Sequence, residues 1–162
     1  MRPALPLAAP AERALPAADR TEIRALVDAY AVALDRLDVE GFVELWVPDA
    51  LMEIHEDGPG APATAEIRGR DRMHLPFPRL RTYLATVHVV GTHVAERTVG
   101  GAAGTTYCEA HHLVEGDGGV VADKVLLIRY LDDYGRLPEG WRLARRRVEV
   151  LVRWFAEPEV LR

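Results

Sequence analysis

Two histidines stand in stretches built for β structure. His88 lies within Tyr83–Val94 (Tyr-Leu-Ala-Thr-Val-His-Val-Val-Gly-Thr-His-Val), and His111 within Thr106–Val114 (Thr-Tyr-Cys-Glu-Ala-His-His-Leu-Val). Imidazole titrates near neutrality, so a histidine shielded among apolar neighbours can take up and return a proton. Both stretches are rich in β-branched and aromatic residues, and Gly100, Gly101 and Gly104 lie between them, the pattern of two strands joined by a turn. Alternation puts Thr86, His88, Val90 and Thr92 on one face of the first strand. In the second, Tyr107, Glu109, His111 and Leu113 share a face opposite to Cys108, Ala110 and His112. If His88 and His111 turn to one interior, a hydrophobic sheet encloses two titratable groups, as an acid–base site requires. Otherwise they are half-exposed surface histidines, and these two strands leave both readings open.

The elements that must position such a site follow in chain order. Residues 1–18 are rich in proline and alanine without periodicity and read as a flexible tail, leaving 19–157 as the folded domain. Asp19 or Thr21 is placed to cap a helix in which Ile23, Leu26, Val27, Tyr30, Ala33, Leu34 and Leu37 recur at three- and four-residue spacing. Asp35 sits at the C-terminal end of that helix, where the dipole disfavours a carboxylate. It is either a solvated helix residue or, like Tyr30, a group directed at one broad cavity under the sheet.

Asp38 caps a second, shorter helix through Phe42, Leu45 and Trp46, stopped by Pro48. Short strands follow at Leu51–His55 and Ala65–Arg68 around a Gly/Pro-rich loop, then a helix over 70–81 compromised by Pro76 and Pro78. After the histidine-bearing pair and a turn at 116–119 come a strand over 120–130, a turn over 132–140, and a last strand over 141–155. Four consecutive long strands with short turns make an antiparallel meander, and the helices must cover one face of it. The predicted fold class is α+β.

Composition narrows the function classes. The chain has 162 residues and a net charge of −5, which argues against nucleic acid or an anionic membrane as partner. Lys124 is the only lysine among twenty basic residues, so the arginines reflect no basic patch. Cys108 is alone, which rules out an internal disulfide, and it reads as a small buried residue. Adjacent strand residues such as His111 and His112 point to opposite faces, so they do not join His88 in a metal site; no metal or cofactor is predicted. No apolar run is long enough to span a membrane, and the prolines near Met1 interrupt any signal-peptide core, so the expected compartment is the cytoplasm. Arg145–Arg147 is a strand end with one residue inward. Trp46, Trp141 and Trp154 read as core or pocket wall, and His55, His74 and His93 as surface residues.

Tyr30-Ala-Val-Ala-Leu-Asp35-Arg-Leu-Asp38, then Leu45-Trp-Val-Pro-Asp49-Ala, Ile67-Arg-Gly-Arg-Asp71, Thr86-Val-His88-Val-Val-Gly, Gly104-Thr-Thr-Tyr107-Cys-Glu-Ala-His111 and Gly140-Trp141-Arg-Leu143-Ala-Arg-Arg146-Arg stand in one order over residues 19–155. This series resembles the SnoaL-like family of the nuclear-transport-factor-2-like superfamily, in particular its scytalone dehydratase, dehydrochlorinase and bile acid 7α-dehydratase type. The resemblance implies a cone-shaped α+β barrel: a strongly curved mixed or antiparallel sheet, covered by the N-terminal helices, around a deep apolar pocket. It implies that Asp35 pairs with His88, the base that removes a substrate proton, and that Tyr30, His111 and Arg146 complete the catalytic set. Trp46, Thr86, Val90, Glu109 and Trp141 are the residues expected to bind substrate.

The implied activity is that of a cofactor-independent lyase, isomerase or cyclase acting on a small hydrophobic polyketide-, terpenoid- or steroid-like molecule. The alternatives are a non-catalytic ligand-binding or scaffold protein, or the small subunit of a ring-hydroxylating dioxygenase. An apolar outer sheet face, with Val87, Val89, Val148, Val150 and Val152 as members, predicts a homodimer or homotrimer.

Overall fold

The three- and four-residue apolar spacing produces a helix, α1 (Ala17–Asp35), which buries Ile23, Leu26, Val27, Tyr30 and Leu34 along one stripe. The structure, a computed structural model, describes residues 11–115 and 121–156. The helix starts earlier than its capping residues predicted. Pro16 occupies the N-cap position, while Asp19 accepts from Trp141 Nε1 at 3.1 Å and Thr21 Oγ1 donates to the Ala17 carbonyl at 3.0 Å. The described part of the expected tail is tied to the fold: Leu15 is buried in the core, and Arg13 meets Glu96 at 3.1 Å. Residues 1–10 lie outside the described residues.

Leu37 turns the chain with a left-handed φ of 55°, and Asp38 then caps α2 (Val39–Glu44) by accepting from the Gly41 N–H at 2.9 Å. The second helix is shorter than expected, because Trp46 already opens β1 (Trp46–His55). Pro48 lies inside this strand without breaking it, since it falls where the pairing register shifts between Trp46 and Leu51 and no ladder hydrogen bond is forfeited. A hairpin leads to β2 (Ala65–Arg68). The predicted helix over 70–81 is broken by its prolines into a single turn at Arg70–Arg72 and α3 (Phe77–Leu80).

Four long strands follow: β3 (Ala85–Thr98), β4 (Gly101–Glu115), β5 (Val121–Leu137) and β6 (Gly140–Ala156). They form the expected antiparallel meander. The fifth strand runs through the segment read as a turn; only residues 138–139 turn the chain, and Gly140 takes a φ of 130° there. The turn expected at 116–119 lies outside the described residues. The first strand joins β6 in parallel, so the six-stranded sheet is mixed, in the order β2-β1-β6-β5-β4-β3. It curves without closing, and α1 crosses its concave face against β3 and β6. The fold is α+β, as predicted.

Phe42, Trp46, Met52, Phe77 and Leu143 are fully buried between helices and sheet. Tyr30, Phe42, Trp46 and Phe77 meet as tilted and edge-on rings with centroids 5.0–6.2 Å apart. Emptying one such position, as in Phe42→Ala, costs about 3–5 kcal/mol. On the convex face Val87, Val89 and Val152 are about half exposed. Val148 and Val150, expected beside them, instead face the interior, because the register shift at Leu127/Ile128 interrupts the alternation of β6 between Val150 and Val152. Among the described residues no helix is long and apolar enough to cross a membrane.

Candidate active site

Asp35 ends α1 where the helix meets β3, and its carboxylate is satisfied by that strand instead of by a cap. Oδ2 accepts from the His88 backbone N–H at 2.9 Å, and Oδ1 from Thr86 Oγ1 at 3.0 Å. The same Oδ1 lies 2.6 Å from His88 Nδ1. Burial pushes this carboxyl up, but the two bonds from His88, its charge and the Thr86 hydroxyl outweigh burial and hold it below its ordinary value. Ionised, Asp35 can only accept, so Nδ1 of His88 carries the proton. Nε2 is left as the basic nitrogen. The His88 side chain is 5% exposed, yet it borders a cavity of about 140 Å³ with Tyr30, Met52, Leu126, Ile128 and Tyr130.

Beyond His88 stands His112, its ring edge-on at 5.6 Å and covered by Tyr83 at 4.6 Å. Burial, followed by the charges of His88, Lys124 and Arg79, pushes its pKa down to about 4, so it is neutral at pH 7. Its Nδ1 is buried with no hydrogen-bond partner among the described residues.

Behind the cavity wall Arg146 is fully buried. Nε and Nη2 grip Asp132 at 2.8 and 2.7 Å, and the guanidinium lies 4.0 Å from the Tyr30 ring centroid and 4.3 Å from that of Tyr130. Burial opposes the charge, but Asp132 offsets it, and the pKa is raised. The aromatic faces replace solvent around the cation. In turn, burial raises the Tyr30 phenol, with Arg146 pulling the other way; its hydroxyl lies 3.8 Å from Met52 Sδ.

This cone, with a carboxylate–imidazole pair between first helix and sheet, accompanies a match to the SnoaL-like domain over residues 16–147. The chain belongs to the SnoaL-like family. Its fold is shared with solved structures of low sequence identity. One, provisionally named an aromatic ring hydroxylase from Novosphingobium aromaticivorans, is 20% identical, with a TM-score of 0.70 over 90% of this chain and 96% of that one. Another from the same organism, provisionally named a scytalone dehydratase, is 19% identical, with a TM-score of 0.70 over 88% and 89%. The hexachlorocyclohexane dehydrochlorinase LinA-type3 from Novosphingobium barchaimii is 14% identical, with a TM-score of 0.68 over 89% and 92%. At these identities the likeness establishes the fold. Comparison with curated proteins gave no match.

In this SnoaL-like chain Asp35 meets His88, and His88 borders one cavity with Tyr30; Thr86, expected to bind substrate, is instead turned to Asp35, and His111 does not reach the cavity. Strand pairing sets His88 opposite Ala110 and Thr86 opposite His112, and directly paired residues share a face. His112 therefore faces the cavity. His111 projects outward, between Asp123 at 2.6 Å and Glu109 at 3.0 Å. Glu109 is exposed on that outer face.

Of the three consecutive arginines, Arg146 is the inward one, but it supports the cavity wall from behind. Arg145 bonds Glu53 at 2.7 Å and Arg147 lies 3.3 Å from Glu149. Trp46 is a core residue, Val90 packs at the core's margin, and Trp141 is anchored to Asp19 and Glu22 at the far end of α1.

Two histidines read as surface residues are not exposed. His55 is buried with Nδ1 2.8 Å from the Ala61 carbonyl. The irregularity between Val90 and His93 turns His93 inward, with Nε2 3.4 Å from the Tyr134 hydroxyl. Cys108 is buried, as read, and burial raises its thiol to about 11. His112, Tyr130 and Lys124 went unrecognised as cavity residues. Alternation groups Lys124, Leu126, Ile128 and Tyr130 together, but which face they take follows only from the pairing with β4. Among the described residues no three His, Cys, Asp or Glu side chains cluster in a way that would hold a metal ion.

Proposed function

We propose that this SnoaL-like chain is a cofactor-independent lyase-type enzyme in which His88 removes a proton from a small hydrophobic substrate. The observation that carries this reading is the 2.6 Å contact between Asp35 and His88 Nδ1 at the edge of an apolar cavity. Asp35 fixes the tautomer that leaves Nε2 basic and stabilises the imidazolium once the proton is taken. His112, neutral and with an unused ring nitrogen, and the Tyr30 hydroxyl are the polar groups available to a developing enolate or a leaving hydroxyl. Arg146 positions Tyr30 and Tyr130 and does not touch substrate. The dehydratase and dehydrochlorinase names among the structural neighbours are consistent with elimination.

Proton abstraction is testable before any natural substrate is known. The chain is expected to accelerate exchange of the α-protons of 2-tetralone in D₂O, followed by NMR. His88→Gln keeps the shape and removes the base, and should lower the rate on the order of 10²–10⁴-fold. Exchange by the wild type no faster than by His88→Gln would leave a ligand-binding protein.

The assembly reading rests on a separate observation. Val87, Val89, Val152 and Trp154 form a partly exposed apolar group on the convex face, and we propose that a second copy of this chain covers it. Sedimentation equilibrium giving a one-chain mass at micromolar concentration would refute this.

A further inference from the structure

The cavity has a charged end that proton abstraction does not use. On β5, Lys124 stands directly opposite His112 of β4, and alternation carries Lys124, Leu126, Ile128 and Tyr130 down one face into the cavity. On β6 the register shift at Leu127/Ile128 lets Val150 and Arg153 share the inner face, with Arg153 opposite Leu126. Arg79, from α3, lines the same opening. Three cations thus face one lining carboxylate, Glu56, a formal excess of two positive charges in a protein whose net charge is −5.

The three cations are not equally committed. Arg79 is held by Glu56 at 2.6 Å, and Arg153 lies 3.9 Å from Glu56 and 3.7 Å from Asp57. Lys124, the only lysine of the chain, forms no salt bridge with any described residue. A solvated strand lysine would have its side chain on the outer face, but the register turns this one inward, beside His112. The depression of the His112 pKa, to which Lys124 and Arg79 add after burial and His88, agrees with a positive potential inside the cavity.

Position separates the two ends. The His88 side chain is 5% exposed, whereas those of Arg79 and Arg153 are 59% and 51% exposed at the rim. Met52, Ile54, Leu126, Ile128, Val148 and Val150 line the rest of the cavity. A ligand filling this space meets hydrocarbon along its body, Lys124 beside the imidazole of His112, and the two arginines at the rim.

We propose that the substrate is an amphipathic acid, whose apolar body lies against the sheet and whose carboxylate is held by Lys124, assisted by Arg153 and Arg79 at the rim. This rests on the reading of the cavity as the substrate site, and it adds the chemical class that the site selects. A carboxylate there neutralises an ammonium that no described residue pairs and fixes the molecule relative to His88, converting one charge contact into orientation of the reacting carbon.

The test compares two isosteric ligands of the full chain by calorimetry, 2-naphthoate and neutral 2-naphthamide. Wild-type protein should prefer the carboxylate by about tenfold or more, and added salt should erode that preference. Lys124→Met should bring the two affinities close together by weakening 2-naphthoate binding more than that of 2-naphthamide, and Lys124→Arg should restore the preference. Equal affinities in the wild type, or a preference that survives Lys124→Met, overturns the proposal. If that happens while His88-dependent exchange of 2-tetralone persists, the proton-transfer reading stands alone. A Lys124-dependent preference without exchange upholds the acid-binding site and removes the base. Failure of both ligands to bind overturns the proposal together with the use of this cavity.

Discussion

Among the described residues two histidine–aspartate pairs of the same contact length lie on opposite faces of one sheet. His88 Nδ1 lies 2.6 Å from Asp35 on the concave side, and His111 Nδ1 lies 2.6 Å from Asp123 on the convex side. They differ in what the second nitrogen meets. His111 Nε2 reaches Glu109 at 3.0 Å, so carboxylates hold both nitrogens. Asp123 raises its pKa first and Glu109 adds to this, with burial opposing. An imidazole with both nitrogens engaged by carboxylates in this way has no lone pair directed at a substrate. His88 has one carboxylate partner, whose own charge is shared with the Thr86 hydroxyl and a backbone N–H, and its second nitrogen is free for the cavity. A histidine–carboxylate contact is therefore a poor indicator of chemistry by itself; the unoccupied nitrogen and the apolar space beside it make the difference.

The comparison breaks most visibly in the rate of proton exchange. Asp35→Asn should slow 2-tetralone exchange by about 10²-fold or more, approaching the loss expected for His88→Gln, because tautomer control and the counter-charge both disappear. Asp123→Asn should leave the same rate within about twofold, since no element of the outer pair reaches the cavity. A comparable loss in both variants would erase the distinction.

Acid titration gives a smaller effect of opposite sign to that of the outer pair. The folded-state pKa of Asp35 is depressed below its ordinary 3.8, so its stabilisation is complete above that value and is lost as pH falls through the lower folded value. Urea midpoints of wild type and Asp35→Asn should therefore differ near neutrality and converge in acid. For His111 the folded-state pKa is raised above 6.5. Its stabilisation is complete below 6.5 and is lost as pH rises through the folded value. His111→Gln should destabilise at slightly acid pH by about 1 kcal/mol or less, as for other partly exposed pairs, and have no effect at alkaline pH. A thermal-melting series across that range checks it; a penalty that grows with pH would contradict the raised pKa of His111.

Much of this was legible along the chain because it depends on neighbours in sequence. The stripe from Ile23 to Leu34, the cap at Asp38 and the alternation of the four long strands are local patterns, and each gave its element. Asp35 at a helix C-terminus was conspicuous because the dipole offers it nothing, and the resemblance to the SnoaL-like family supplied its partner His88. The boundaries that failed were those where a distant element overrides a local breaker. Pro48 sits in a strand because the register with β6 shifts around it, and the segment 132–137 is strand because Asp132 and Tyr134 have buried partners in Arg146 and in each other.

Which histidine faces the cavity was beyond local reading. A His-His dipeptide in a strand presents one ring to each side whatever the fold, so alternation alone determined that His111 and His112 would have opposite environments. The choice between them rests on a single pairing, Thr86 opposite His112, because a slip of one residue would exchange every side chain between the faces. The same holds for Val148 and Val150, read as outer-face residues and found in the cavity, and for Arg146, whose inward direction was anticipated but whose partner, Asp132, lies on another strand. By itself the sequence determined the elements, their order and the residues able to transfer a proton. Tertiary pairing decided which of those residues share an interior, because the face a strand buries is set by register with a neighbour and not by its own alternation.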